Sequence, residues 1–165
     1  MDEAAPSLAC VGLGSNLDDP RGQVSRALAA LATLPGCRLI AQSALYRTPP
    51  MGPPGQPDYV NAVAMLETTL APHALLDALQ GIERQHARQR DVRWGPRTLD
   101  LDVLTFGGLR LHDARLTVPH PGIANRAFVL VPLAELAPAL DIPGLGPVAG
   151  LLARIESHAI EKLPA

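Results

Sequence analysis

Aromatic residues are scarce in this chain: two tyrosines, two phenylalanines and one tryptophan among 165 residues. That is too few for an aromatic core, which leaves some of them to serve a flat ligand. The only cysteines, Cys10 and Cys37, are isolated thiols with no CxxC pattern, so a disulfide framework is excluded. No apolar run reaches the roughly 18–20 residues of a membrane span. Positive charge is not in excess either. The net charge is −2, so whole-molecule attraction to nucleic acid or an anionic membrane is not expected and any electrostatic function must be local. The opening MDEAAPSLAC is short and acidic rather than basic and then apolar, and the cytoplasm is the expected location. With 47% hydrophobic and 18% charged residues the chain belongs to the folded, soluble class. Its length is most simply one domain over 1–165, with 1–7 and 159–165 as poorly ordered tails.

Two phosphate-binding signatures are also missing. In VGLGSNL, 11–17, the third glycine of a dinucleotide fingerprint is replaced by Leu17, and no acidic residue near 37 follows a suitable second strand. No Walker A pattern occurs, so bound ATP would be held without a P-loop. Ser15 and Cys10 have no motif around them that would make either a nucleophile. His73, His86, His112, His120 and His158 lack zinc-like spacing, and His120 stands out only because VPHP stiffens the backbone around it.

Periodicity predicts the elements. LACVGL, 8–13, reads as a buried strand. Asp19 reads as an N-cap with Pro20 at the first helical position, opening an amphipathic helix over 20–34 that Pro35-Gly36 stops. CRLIAQSALYR, 37–47, reads as one strand, and TPPMGPPGQP, 48–57, as a loop. Residues 59–70 form a third strand. Pro72 opens a second helix that buries Leu75, Leu76, Leu79 and Ile82 and runs into RQHARQRDVRWGPR, 84–97, whose second half lacks a period. A strand covers 99–106, and Gly107-Gly108 signals a hairpin with a return strand within 109–120. A helical region over 123–137 is expected to be interrupted near Pro132, and a short helix to cover 147–158. The order strand, helix, strand, strand, helix, strand is that of an α+β ferredoxin-like sandwich with an antiparallel sheet, a fold that assigns no function by itself.

Chemistry concentrates in RWGPRTLDLDVLTFGG, 93–108. Residues two apart on a strand share a face, so Asp100 and Asp102 project together, about 7 Å apart along the chain. Leu99, Leu101 and Val103 project the other way. Paired carboxylates repel unless a cation lies between them, and hard oxygen ligands of this kind suit Mg²⁺ with substrate phosphates and water. By itself, D-x-D fits an exposed strand face, each Asp paired with an Arg, about as well. The loop before it tips the balance. Arg84, Arg88, Arg90, Arg93 and Arg97 face one acid there, Asp91, and guanidinium groups bind phosphate oxygens bidentately. Tyr59 and Asn61 also share a strand face. One offers a ring and the other a donor–acceptor amide, which suits a heteroaromatic ligand as well as it suits ordinary core packing.

These stretches resemble one family. GLGSNL (12–17), YRTPPMGPPGQPDYVNA (46–62), RWGPRTLDLD (93–102), LTVPHP (116–121) and NRAFVLVPL (125–133) follow the order and spacing of the 6-hydroxymethyl-7,8-dihydropterin pyrophosphokinases of folate biosynthesis. The likeness covers about 8–140. It implies transfer of the β- and γ-phosphoryl groups of ATP to the pterin hydroxymethyl oxygen, with AMP leaving and two Mg²⁺ ions held by Asp100 and Asp102. The family's pterin pocket matches Thr48, Pro49, Met51, Tyr59, Asn61, Trp94 and Phe128, with the ring stacked between Tyr59 and Phe128. Its nucleotide contacts match Gln80, Glu83, Arg88, Arg93, Trp94, Arg97, Val103, Arg115, Thr117, His120 and Arg126. Arg88 and Arg97 would act catalytically beside the two aspartates, by stabilising charge as AMP leaves. The segments 48–57 and 84–97 would act as lids. Pro121 and Gly122 stand where some members carry tyrosine and arginine, and Asp91 where some carry lysine. A monomer is expected, with no nucleic acid and no membrane partner.

Two other readings share the fold. A two-metal nucleotidyl transferase would also use paired aspartates but would release pyrophosphate. A nucleic-acid-binding module is disfavoured by the acidic balance and the few aromatics.

Overall fold

The computed structural model describes residues 5–17, 19–49, 55, 57–87, 99–156 and 159–164. Strand β1, Ser7–Ser15, leads to helix α1, Pro20–Ala32. The Asp19 side chain accepts from the Gly22 N–H at 3.3 Å with Pro20 next in line, so the expected cap forms. Val24, Ala27, Leu28 and Leu31 form the buried stripe of α1. Gly36, at φ 81°, turns the chain in a conformation that a side chain would strain.

Residues 37–47 form two strands rather than the single one expected: β2, Cys37–Gln42, and β3, Tyr46–Thr48. Both pair with β4, Tyr59–Thr68, at opposite ends of it. Ser43 causes the break. Its N–H donates to the Val63 carbonyl and its hydroxyl accepts from the Val63 N–H, both at 2.9 Å, so a side chain takes over part of the ladder and the strand bends. Helix α2, Pro72–Ala87, precedes β5, Asp100–Phe106. The return strand after Gly107-Gly108 does not pair with β5. Instead β6, Leu111–His112, pairs with β7, Thr117–Val118.

After a 3-10 turn at Ile123–Asn125 comes α3, Ala127–Leu136. The expected break at Pro132 is absent. Pro132 lies buried inside α3 and removes only the N–H that would have met the Phe128 carbonyl. The interruption falls at Arg126, which is extended at φ −117°, ψ 101°. A hairpin of β8, Asp141–Ile142, and β9, Gly146–Pro147, leads to α4, Val148–Leu152. This helix is shorter than the expected 147–158, because its end tightens into i→i+3 bonds at Arg154 and Ile155. Within 159–165, expected from the sequence as a poorly ordered tail, residues 159–164 are described and include one more strand. β10, Glu161–Lys162, pairs with β3, and Leu163 is buried with its N–H on the Leu45 carbonyl.

The main sheet is six-stranded and antiparallel, in the order β10-β3-β4-β1-β5 with β2 also on β4. This is the ferredoxin-like α+β arrangement. One face packs against α1 and α2 through Val11, Leu13, Leu66, Leu75, Leu79, Leu101 and Val103. The other packs against α3 and α4 through Cys10, Val63, Met65, Leu104, Leu130 and Leu133. Burying each such leucine or valine contributes about 1.5–3 kcal/mol.

Candidate active site

Register brings the polar residues together on the α3 face. Tyr46 stands opposite Asn61, Asn61 opposite Gly14, and Gly14 opposite Asp100, one row across four strands. In the next row Val63 faces Gly12 and Gly12 faces Asp102. Because side chains alternate, this face carries Tyr59, Asn61, Gly12, Gly14, Asp100 and Asp102 while Leu101 and Val103 enter the opposite core. Near these rows, where α3 begins, the sheet and helix leave a cavity of about 310 Å³ lined by Thr48, Pro49, Tyr59, Asn61, Asp100, Asp102, Arg126 and Phe128.

The two glycines are not among the expected site residues, yet they form its floor. A Cβ on Gly14 would stand 2.8 Å from Asn61 Oδ1, and one on Gly12 would stand 3.3 Å from Leu104 Cδ2. The readable signal is G-x-G facing the D-x-D of a neighbouring strand, with small residues at alternate positions where two strands present polar groups.

Asn61 is 5% exposed and its Nδ2 donates to Thr48 Oγ1 at 2.8 Å. That bond fixes the amide and joins β3 to β4 inside the cavity. Tyr59 enters from the sheet layer and Phe128 from the helix layer. The Arg126 guanidinium carbon lies 5.6 Å from the centroid of the Phe128 ring, within cation–π range. Asp102 is exposed and Asp100 half-buried. A pair of hard carboxylates on one strand face fits a magnesium ion that completes its shell with water and phosphate. No group of three or more candidate ligands (His, Cys, Asp or Glu) occurs among the described residues, so a closed, all-protein metal cage is not what these side chains build.

His120 lies within electrostatic reach of Asp102. Its Nδ1 accepts from the Gly122 N–H at 3.0 Å, so a neutral ring carries its proton on Nε2 and presents a donor. Burial lowers its pKa below the ordinary imidazole value, the Asp102 carboxylate opposes that shift, and the Arg126 charge adds to it. The His120 N–H also donates to the Leu104 carbonyl at 2.8 Å, tying the VPHP turn to β5.

A second cluster lies along α2. The Arg115 guanidinium donates to Asp77 at 2.6 Å and to Gln80 at 3.4 Å. Glu83 accepts from the Leu101 N–H at 2.7 Å, so it covers the main chain between the two aspartates. Thr117 pairs with His112 Nδ1 at 2.9 Å. Val103 is 3% exposed, within the α1/α2 core, so only its main chain is left to meet a nucleotide. Met51, Arg88, Arg93, Trp94 and Arg97 lie outside the described residues, as do most of the two expected lid segments.

Residues 10–138 match the family model for 7,8-dihydro-6-hydroxymethylpterin-pyrophosphokinase (HPPK). The chain belongs to this family. It is similar to the 2-amino-4-hydroxy-6-hydroxymethyldihydropteridine pyrophosphokinase of Pseudomonas aeruginosa, at 54% identity over 93% of this chain and 95% of that one. The Haemophilus influenzae protein of the same description is 46% identical over 94% and 97%. Among solved structures, a Plasmodium falciparum HPPK-DHPS triple mutant superposes with a TM-score of 0.77 at 14% identity, a likeness of fold. The chain covers 49% of that protein, about half its length. In this pyrophosphokinase, the motifs that carry the resemblance in the sequence contribute, among the described residues, Gly12, Gly14, Thr48, Tyr59, Asn61, Asp100, Asp102 and Phe128 to the cavity lining.

Proposed function

We propose that the cavity between β4, β5 and α3 is where the enzyme holds 6-hydroxymethyl-7,8-dihydropterin, with ATP entering over Asp100 and Asp102. The reaction is that of the family: pyrophosphate passes from ATP to the hydroxymethyl group, giving the pterin diphosphate and AMP in tetrahydrofolate biosynthesis. The hydroxyl oxygen loses its proton to water and forms a bond to the β-phosphorus, the bond from that phosphorus to the α–β bridging oxygen breaks, and AMP departs. The supporting observation is the cross-strand row. It places an amide, a glycine floor and a carboxylate side by side, with an aromatic ring from each layer above them.

Each side chain has a task in that geometry. Tyr59 and Phe128 clasp the flat ring. Asn61, held by Thr48, reads its hydrogen-bonding edge and sets which end of the pterin faces the aspartates. Arg126 and the Nε2–H of His120 offer fixed donors to the phosphates, where charge shifts onto the leaving group. Arg88 and Arg97, on the segment outside the described residues, supply further cationic charge, and Gln80, Glu83, Arg115 and Thr117 flank the nucleotide. Two Mg²⁺ ions held by Asp100 and Asp102 would neutralise the triphosphate and acidify the attacking hydroxyl. The enzyme acts as a monomer in the cytoplasm on this reading. No helix among the described residues is long and apolar enough to cross a membrane.

Incubation with ATP, Mg²⁺ and the hydroxymethyl dihydropterin should yield AMP and the pterin diphosphate, resolved by chromatography. ADP as product would overturn the reaction type, and released pyrophosphate would favour the nucleotidyl transferase.

A further inference from the structure

We propose that Tyr46 and Glu135, which do not line the cavity, form a positioning bracket that sets the width of the pterin slot. This inference rests on the slot assignment made above.

The slot has one wall in each layer. Tyr59 and Asn61 belong to β4, and Phe128 belongs to α3. Its width is therefore the spacing between a sheet and a helix. Apolar contacts hold the two layers together, but the attraction they supply is non-directional. The Tyr46–Glu135 contact is directional. The Tyr46 hydroxyl donates to Glu135 Oε1 at 2.5 Å. The Ala44 N–H donates to the same carboxylate, at 3.2 and 3.1 Å to its two oxygens. One carboxylate on α3 thus takes two donors from the stretch leading into and through β3.

Both ends of the bracket are in line with the slot. Glu135 lies seven residues after Phe128, about two helical turns, so both project from the same side of α3. Tyr46 stands directly opposite Asn61 in the β3–β4 register, and Thr48, two residues on, is the partner of the Asn61 amide. Tyr46 is 6% exposed, and burial together with the Glu135 carboxylate raises its pKa, so it remains a donor throughout the working pH range. The bracket also repairs the local ladder. Ser43 diverts the chain between β2 and β3, and Glu135 takes up the Ala44 N–H there. A change at the bracket moves Phe128 relative to Asn61 and leaves the aspartates, on the far side of β1, where they were.

The test is a mutant cycle on the enzyme with steady-state kinetics for both substrates. Tyr46→Phe removes one bond and keeps the ring. It should raise KM for the pterin on the order of tenfold, while KM for ATP stays within about twofold. Glu135→Ala should do more, and Glu135→Gln, which keeps an acceptor oxygen, should recover part of the loss. In a Phe128→Ala background Tyr46→Phe should add little, because the wall it positions is gone. Equal rises in both KM values, or additive effects with Phe128→Ala, would overturn the bracket. Failure of the slot assignment looks different: Phe128→Ala and Tyr59→Ala would then leave pterin KM unchanged.

Discussion

The two faces of the sheet are built from the same strands and do opposite things. Toward α1 and α2, β1, β4 and β5 present Val11, Leu13, Leu66, Leu101 and Val103 in a continuous apolar layer. Toward α3 they present Cys10, Val63, Met65 and Leu104, and then, at one end, Gly12, Gly14, Asn61, Asp100 and Asp102. The first face maximises burial. The second gives up part of it, because the helix that covers it starts only after the extended Arg126 and leaves the strand ends open. Apolar burial is continuous on one side and shares the other with polar groups, and a two-residue period is all that separates them.

The contrast predicts a double dissociation, which carries the largest effects. Asp100→Ala or Asp102→Ala should lower kcat by on the order of a thousandfold or more, with the melting temperature close to that of the parent. Leu79→Ala, in the opposite core, should cost about 2–5 kcal/mol of stability in denaturant unfolding, while kcat/KM of the folded fraction is unchanged. If an aspartate variant retains full turnover, the division between the faces is wrong.

A smaller effect is expected at the cavity floor. Gly14→Ala puts a Cβ 2.8 Å from Asn61 Oδ1, so the amide must shift. Pterin KM should rise about tenfold with little change in ATP KM, read from the same kinetic assay. An unchanged pterin KM would mean that the floor has room to spare.

The smallest effect sharpens the helix side. His86 on α2 pairs through Nδ1 with the Gln23 amide of α1, and burial, with a lesser push from Arg26, lowers its pKa. The folded state therefore binds its proton less readily than the unfolded chain, whose histidine titrates near 6.5. The associated stability is present above that value and is lost as pH falls from it toward the lower folded pKa. His86→Gln should flatten the pH dependence of the unfolding midpoint below about pH 6.5. A midpoint curve of unchanged slope would show that His86 does not carry it.

Much of this organisation is legible in the residues. The alternation of LDLDVLTF is enough to separate the carboxylates from Leu101 and Val103, and the same period puts Tyr59 with Asn61. Asp19-Pro20 announces α1 because a cap and a fixed φ act locally. What stays hidden depends on partners far along the chain. Ser43 divides a strand only because Val63 offers both its amide groups. β10 is two residues long, too short to show a period, and exists because β3 exposes an edge. Tyr46 and Glu135 are 89 residues apart, and neither has a local pattern that points to the other. Pro132 reads as a break by its own chemistry, but burial in α3 compensates one missing bond.

The row from Tyr46 through Asn61 and Gly14 to Asp100 has a consequence for how activity arises along the folding route. Slipping β1 by a single residue would put Leu13 or Ser15 in the floor position and turn its neighbours to the wrong side. If the substrates bind where we propose, misaligned strands would lose that site, because the row is assembled from four separate strands. Ligand occupancy at the proposed site would report the alignment of these four strands, and substrates added during refolding should draw the population toward that one alignment by mass action.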